Sequence, residues 1–442
     1  MWLFFCLLTH ATLGAWTRDT RRDHAMQGFT PPRVDLSRYQ SVQTRPDQHE
    51  DLALAVAISG GGHRAGNFAA GVLLALEEFT LDNGKPVNLL NEVDYFSTVS
   101  GGGFPVAVYL STRMDYGDSR SYSFRDALSQ ADGRYLKNLR RDYQITLLEA
   151  AVTPKCIGFH DAGDLLEETF DDFLLGASYR AGTRSLTLND IFRPKESGAP
   201  VTLPYWFANA TIYENGCRFV FTPGLLREYD VKACTHRFEE VDLTADPGRM
   251  PLAVGLKTSA SFPVLIPATT FTCRDTVDPL NPYLHLVDGG LVDNQGIYTA
   301  FEVLRQDSAK HKILLVIDAY KGISQPRSQW QASPSGPEMA IRIMKIALDS
   351  ARNRLEQTLV QQQRLAEAGG VGTPIHVALI SFGTLKPETV RRFDDLEQEV
   401  EAIRKQKVRG FMRRVQREFD SLVGSGRNGG EEDAEDIPNT VL

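Results

Sequence analysis

The chain has 442 residues, 42% hydrophobic and 24% charged, an ordinary globular balance with enough apolar material for a large core. A formal net charge of −8 argues against a nucleic-acid partner, although it leaves a membrane surface open because local patches outweigh the sum. No apolar run reaches the ~20 residues that a membrane-spanning helix needs, and no Cys/His cluster has the spacing of a structural metal site.

Residues 1–15 resemble the apolar part of a secretory signal, with Gly14 and Ala15 near a cleavage point. The basic leader is missing and Arg18, Asp19, Arg21, Arg22 and Asp23 follow, so an apolar anchor or a misplaced start codon are the alternatives. A signal or anchor implies the cell envelope, the periplasm or secretion; otherwise the expectation is a cytoplasmic protein with peripheral membrane contact. Residues 16–50 are polar, with Pro31, Pro32 and Pro46, and read as a lead-in.

From residue 51 short apolar runs alternate with amphipathic stretches, the pattern of α/β layers. Leu52 to Ile58 reads as a strand buried on both faces and Ala65 to Phe79 as a buried helix. Val93 to Val99 is the next strand, followed by a helix over Phe104 to Met114. Tyr135 to Ala151 and Asp161 to Leu175 read as helices. Strands follow at Tyr205 to Tyr213 and Arg218 to Thr222, joined by the turn-prone Glu214-Asn215-Gly216. Leu252 to Ser259 is a helix, and Tyr283 to Val287, Lys312 to Asp318 and Ile375 to Ser381 are strands. A helical pattern covers Glu338 to Ala368.

These elements place one domain over 51–385, a charged helical extension over 386–423 and a Gly-rich, then acidic, disordered tail over 424–442. The extension carries Ile403, Val408, Phe411, Met412 and Val415 among many charges, and is expected to pack on its own domain rather than lie on a membrane. Cys156, Cys217, Cys234 and Cys273 read as isolated buried thiols.

Three glycine-rich segments carry the chemistry. Ser59-Gly60-Gly61-Gly62-His63-Arg64-Ala65-Gly66 and Thr98-Val99-Ser100-Gly101-Gly102 each join a strand to a helix, where free backbone N–H groups favour negative charge. One such turn can hold an oxyanion and the other can expose a serine. Val287-Asp288-Gly289-Gly290 ends a strand with a carboxylate that could take the serine's proton. Taken singly, each has a blander reading: a tight turn, a helix N-cap at Ser100, or a dinucleotide loop at Gly60-x-Gly62-x-x-Ala65.

In this order and spacing the chain resembles the patatin-like phospholipases, a family related to the cytosolic phospholipases. Gly60-Gly61-Gly62-His63-Arg64 matches the family's oxyanion loop, Ser100-Gly101-Gly102 its nucleophile elbow and Asp288-Gly289-Gly290 its base motif. Phe207-Ala-Asn-Ala-Thr211 and Thr258-Ser-Ala-Ser-Phe262-Pro263 add two familial stretches, so the resemblance spans about residues 51 to 320.

The resemblance implies a three-layer α/β sandwich with a mostly parallel central sheet. It also implies a lipid or phospholipid acyl hydrolase with Ser100 as nucleophile, Asp288 as base and the Gly60–Gly62 loop as oxyanion hole, needing no cofactor and no metal. Gly102, Gly289 and Gly290 support the turns, Arg64 braces the loop or meets a headgroup, His63 lines the loop, and Asp293 and Asn294 hydrogen-bond it. Thr98 departs from the family's Gly-x-Ser-x-Gly elbow, implying a wider turn or small neighbours that compensate. The rivals are a Ser–His–Asp esterase using His311 or His376, a silent lipid-binding or scaffold protein, and a nucleotide-binding enzyme.

Overall fold

In a computed structural model, the residues described are 34–39, 51–116, 122–139, 161–179, 184–192, 203–263, 265–273, 282–320 and 374–381, with isolated positions elsewhere. The signal or anchor segment, nearly all of the lead-in, the acidic tail and residues 144–151 of the expected third helix lie outside them. Two compact units are distinguished, Met1–Thr384 and Leu385–Leu442. Within the second, only positions 402, 406 and 413 are described, all helical.

A ten-stranded sheet organises the first unit. Its strands are β1 (Leu52–Ile58), β2 (Val93–Thr98), β3 (Tyr205–Ile212), β4 (Arg218–Val220), β5 (Val231–His236), β6 (Glu239–Asp242), β7 (Thr269–Cys273), β8 (Tyr283–Asp288), β9 (His311–Asp318) and β10 (Ile375–Ser381). They lie in the order β10-β9-β1-β2-β3-β8-β7-β5-β6, with β4 against β3. From β10 to β3 every pairing is parallel; beyond β3 the pairings are antiparallel. Burial explains the switch. β2 and β3 are buried at every position and β1 at all but its first, as parallel strands covered by helices on both faces must be. β5 and β7 mix buried with exposed positions and β6 has no buried residue, as suits strands that meet solvent.

The helices are α1 (Gly62–Glu77), α2 (Gly103–Tyr116), α3 (Phe124–Leu139), α4 (Ala162–Phe173), α5 (Leu252–Ser259) and α6 (Ile297–Gln306). α6 packs on β1, β2 and β9, and α5 on β3 and β8, completing the expected three-layer α/β architecture. The sequence pattern located the third helix late: α3 starts at Phe124 rather than Tyr135, capped by Ser123, whose Oγ accepts the Asp126 N–H at 3.2 Å.

Register brings the glycine turns to one edge. Ile58 at the end of β1 lies opposite both Thr98 at the end of β2 and Ile317 near the end of β9. β3 aligns Ala208 with Thr98, and β8 runs back so that Asp288 meets Ala210, two residues further on. Asp288 therefore ends level with the β2–α2 turn. Cys234 and Cys273 are buried free thiols and Cys217 is half-buried. Among the described residues no helix is long and apolar enough to cross a membrane, and no group of His, Cys, Asp or Glu could hold a metal ion.

Candidate active site

Ser100 stands on a sharp turn. Its φ of 53° is left-handed, a conformation that costs a non-glycine residue about 1–2 kcal/mol, and Ser100–Gly102 form one 3₁₀ turn before α2. The turn is this tight because its glycines admit neighbouring backbone. A Cβ at Gly101 would fall 2.2 Å from Gly62 O, and one at Gly102 2.5 Å from Ser59 O, so the elbow and the β1–α1 loop are in direct backbone contact.

Thr98 is accommodated rather than crowded. It is fully buried, and its Oγ1 accepts the Trp206 indole N–H at 2.8 Å. Gly103 supplies the small neighbour, since a Cβ there would lie 3.2 Å from Thr98 Oγ1.

Asp288 is 3% exposed, and the Ser100 side chain is among the groups that act on its carboxyl. Its Oδ1 accepts the Gly290 N–H at 2.7 Å. Burial raises its pKa from an ordinary 3.8 to about 6, against the opposing pull of the Gly290 N–H and the Ser100 side chain. A carboxylate so placed is more basic than one in water.

The β1–α1 loop divides its labour. The Gly60 N–H donates to Asn294 O at 2.8 Å, so it is taken up in fixing the loop. Gly61 has a φ of 145° and Gly62 one of 61°, and α1 begins at Gly62. Among the described residues the Gly61 and Gly62 amides have no acceptor, and they stand at the positive end of α1. Arg64 Nε donates to Ala319 O at 3.1 Å, tying the first turn of α1 to the end of β9. His63 stacks on Tyr143 with ring centroids 5.5 Å apart and hydrogen-bonds Arg141 O. Asp293, 1% exposed, accepts the Gln295 and Tyr298 N–H groups at 3.0 and 2.7 Å and so shapes the turn into α6.

A family model of patatin-like phospholipases matches residues 56–301, more than half of the chain. The chain belongs to the patatin-like phospholipase family. No curated protein matches it in sequence. Among solved structures it is similar to the human GIVD cytosolic phospholipase A2, with 13% identity over 69% of this chain and 54% of that one and a TM-score of 0.36. VipD from Legionella pneumophila is similar over 71% of this chain and 56% of its own, with 13% identity and a TM-score of 0.24. The chain thus spans just over half the length of each.

The strand register sets His311 and His376 back from the elbow. His311 pairs with Leu52 at the start of β1, and His376 pairs with Ile313. Ser100 follows the opposite end of that register, so His311 lies about six strand residues, roughly 20 Å, away.

One histidine does sit in a triad-like arrangement that sequence reasoning missed. His236 Nε2 is 3.0 Å from Ser185 Oγ and its Nδ1 is 2.7 Å from Glu167 Oε1. The electrostatics are wrong for catalysis. Ser185 Oγ donates to Asp171 at 2.5 Å, and the two carboxylates outweigh desolvation to push His236 up to about 9. At neutral pH the ring is an imidazolium with no site for the serine proton. The cluster is an ion network joining α4 to β5.

Proposed function

We propose that this patatin-like protein hydrolyses acyl esters of lipids, with Ser100 as nucleophile and Asp288 as base. The observation that carries the reading is a buried Asp288 of raised basicity, set by strand register level with the left-handed Ser100 elbow. Ser100 Oγ attacks the acyl carbonyl carbon as its proton passes to Asp288. The Gly61 and Gly62 amides receive the negative charge that develops on the carbonyl oxygen. Collapse of the tetrahedral intermediate expels the alcohol, which takes the proton from Asp288. Water then hydrolyses the acyl-enzyme by the same route in reverse.

A carboxylate near 6 remains a weak base towards a serine hydroxyl, so the oxyanion donors must share the barrier. Gly60, Gly102, Gly289 and Gly290 then serve as packing positions. A Cβ at Gly60 would lie 3.3 Å from Ser100 Cβ, and one at Gly289 2.4 Å from Asn209 O. The substrate class places the protein in peripheral contact with a membrane or lipid aggregate. The division into a 51–385 catalytic domain, a 386–423 extension and a 424–442 tail belongs to the same proposal.

The test is reaction of the purified full chain with a fluorophosphonate probe, alongside hydrolysis of a short-chain p-nitrophenyl ester. Labelling mapped to Ser100, and loss of hydrolysis by several orders of magnitude in a folded Ser100→Ala variant, is expected. An unreactive Ser100 in folded protein would leave a lipid-binding protein without turnover.

A further inference from the structure

The nucleophile turn and the base turn are both held by two residues at and just beyond the C-terminal end of α5, Ser259 and Ser261. Ser259 Oγ accepts the Ser100 N–H at 2.9 Å. Ser259 O accepts the Gly289 N–H at 3.4 Å, and Ser261 O accepts the Asp288 N–H at 3.0 Å. Ser259 is 1% exposed and Ser261 fully buried, so water cannot replace these bonds. The segment is itself anchored. Thr258 Oγ1 is bonded to Val254 O at 2.6 Å and to Thr269 Oγ1 at 2.7 Å, and Ser261 Oγ to Lys257 O at 3.0 Å.

The two bonds to the base strand run from backbone to backbone and survive any substitution. The bond to the nucleophile ends on a side chain. We propose that Ser259 is a positioning residue for the acyl-transfer step: its Oγ holds the Ser100 amide, keeps the elbow left-handed and so keeps the Ser100 hydroxyl against Asp288. The inference rests on the serine–aspartate reading above and deepens it. Ser100 occupies its strained φ of 53° only while the surroundings over-determine it. Without the Ser259 hydroxyl, the amide loses its acceptor and the elbow is free to relax towards the ordinary negative φ. The Ser100 side chain then swings away from Asp288.

The consequence separates positioning from mere support. The Ser100 side chain lowers the Asp288 pKa against burial, so its withdrawal raises that pKa further. The other influences on Asp288 are its burial and the Gly290 amide; no charged side chain is among them.

The experiment compares wild type, Ser259→Ala and Ser259→Thr as full chains, in fluorophosphonate labelling of Ser100 and ester hydrolysis between pH 5 and 9. Expected for Ser259→Ala are a fall of about 10- to 100-fold in kcat and in labelling rate, KM within about twofold, and an acid-limb midpoint above the wild-type value. Ser259→Thr, which keeps the Oγ acceptor, restores most of the rate. Should the alanine variant fail to fold, Ser259→Cys replaces the hydroxyl with a weak acceptor of similar shape and carries the same expectation. If wild-type Ser100 does not label, the serine-hydrolase reading falls and the positioning role falls with it. If wild type labels and Ser259→Ala labels equally fast with the same pH midpoint, the positioning role alone is overturned. A rate loss matched by an equal loss of folded protein also overturns it, as does failure of the threonine variant to recover.

Discussion

Replacing Asp288 with asparagine should remove activity and, at neutral pH, make the protein more stable. Asp288 is 3% exposed, and burial lifts its pKa from 3.8 to about 6. A carboxyl that holds its proton more tightly when folded penalises the folded state once that proton leaves. Wild-type stability therefore falls through this group as pH rises from about 4 to about 6, and the loss persists above. A shift of about two pKa units, each worth 1.36 kcal/mol, makes the full loss about 3 kcal/mol. Asparagine retains an Oδ1 acceptor for the Gly290 N–H, now 2.7 Å from the aspartate oxygen, and carries no charge to bury. The stability of Asp288→Asn minus that of wild type should grow by about 2.4 kcal/mol between pH 4 and pH 7.5. Urea unfolding of both proteins at several pH values measures the difference directly, and other titrating groups cancel in it. A difference that stays flat across this range would refute the buried, raised carboxylate, whatever the variant's activity.

Hydrolysis by wild type should rise with pH through a midpoint near 6, as Asp288 loses its proton, in a pH–rate profile of kcat/KM. Gly61→Ala should cut acylation about 10²- to 10³-fold while vesicle co-sedimentation stays near wild type. At a φ of 145° a side chain is strained, and its Cβ would lie 3.3 Å from Ala65 Cβ. Thr98→Val keeps the shape but strands the Trp206 indole N–H, so unfolding free energy should fall by about 1–3 kcal/mol with labelling of Ser100 retained. His236, raised to about 9 in the fold, contributes stability that is full below its ordinary 6.5 and lost as pH rises through 9. His236→Gln should flatten the decline in melting temperature over that window.

The sequence determined what is local. Leu52–Ile58, Val93–Thr98 and His311–Asp318 are legible as strands because continuous apolar runs are what a doubly covered strand requires. The glycine turns after the first two strands, and the Asp-Gly-Gly after β8, are equally legible, since a turn's geometry is set by its own residues. β5, β6, β7 and α6 escaped the sequence reading. The three strands are short, partly exposed and polar, and their burial pattern depends on neighbours rather than on periodicity.

The site's residue types were readable, but their division of labour was not. Nothing near Gly60 in sequence tells that its amide goes to Asn294 O, whereas Gly61 and Gly62 keep theirs. Nothing near Thr98 announces Trp206 as its partner, 108 positions later, or sets the elbow amide on Ser259, 159 positions away. Hydrogen bonds between distant segments form only once strand register and helix packing have fixed those segments in space. Propensity acts within a few residues, whereas Asp288 comes level with the Ser100 turn only because β8 returns beside β3 with Asp288 opposite Ala210.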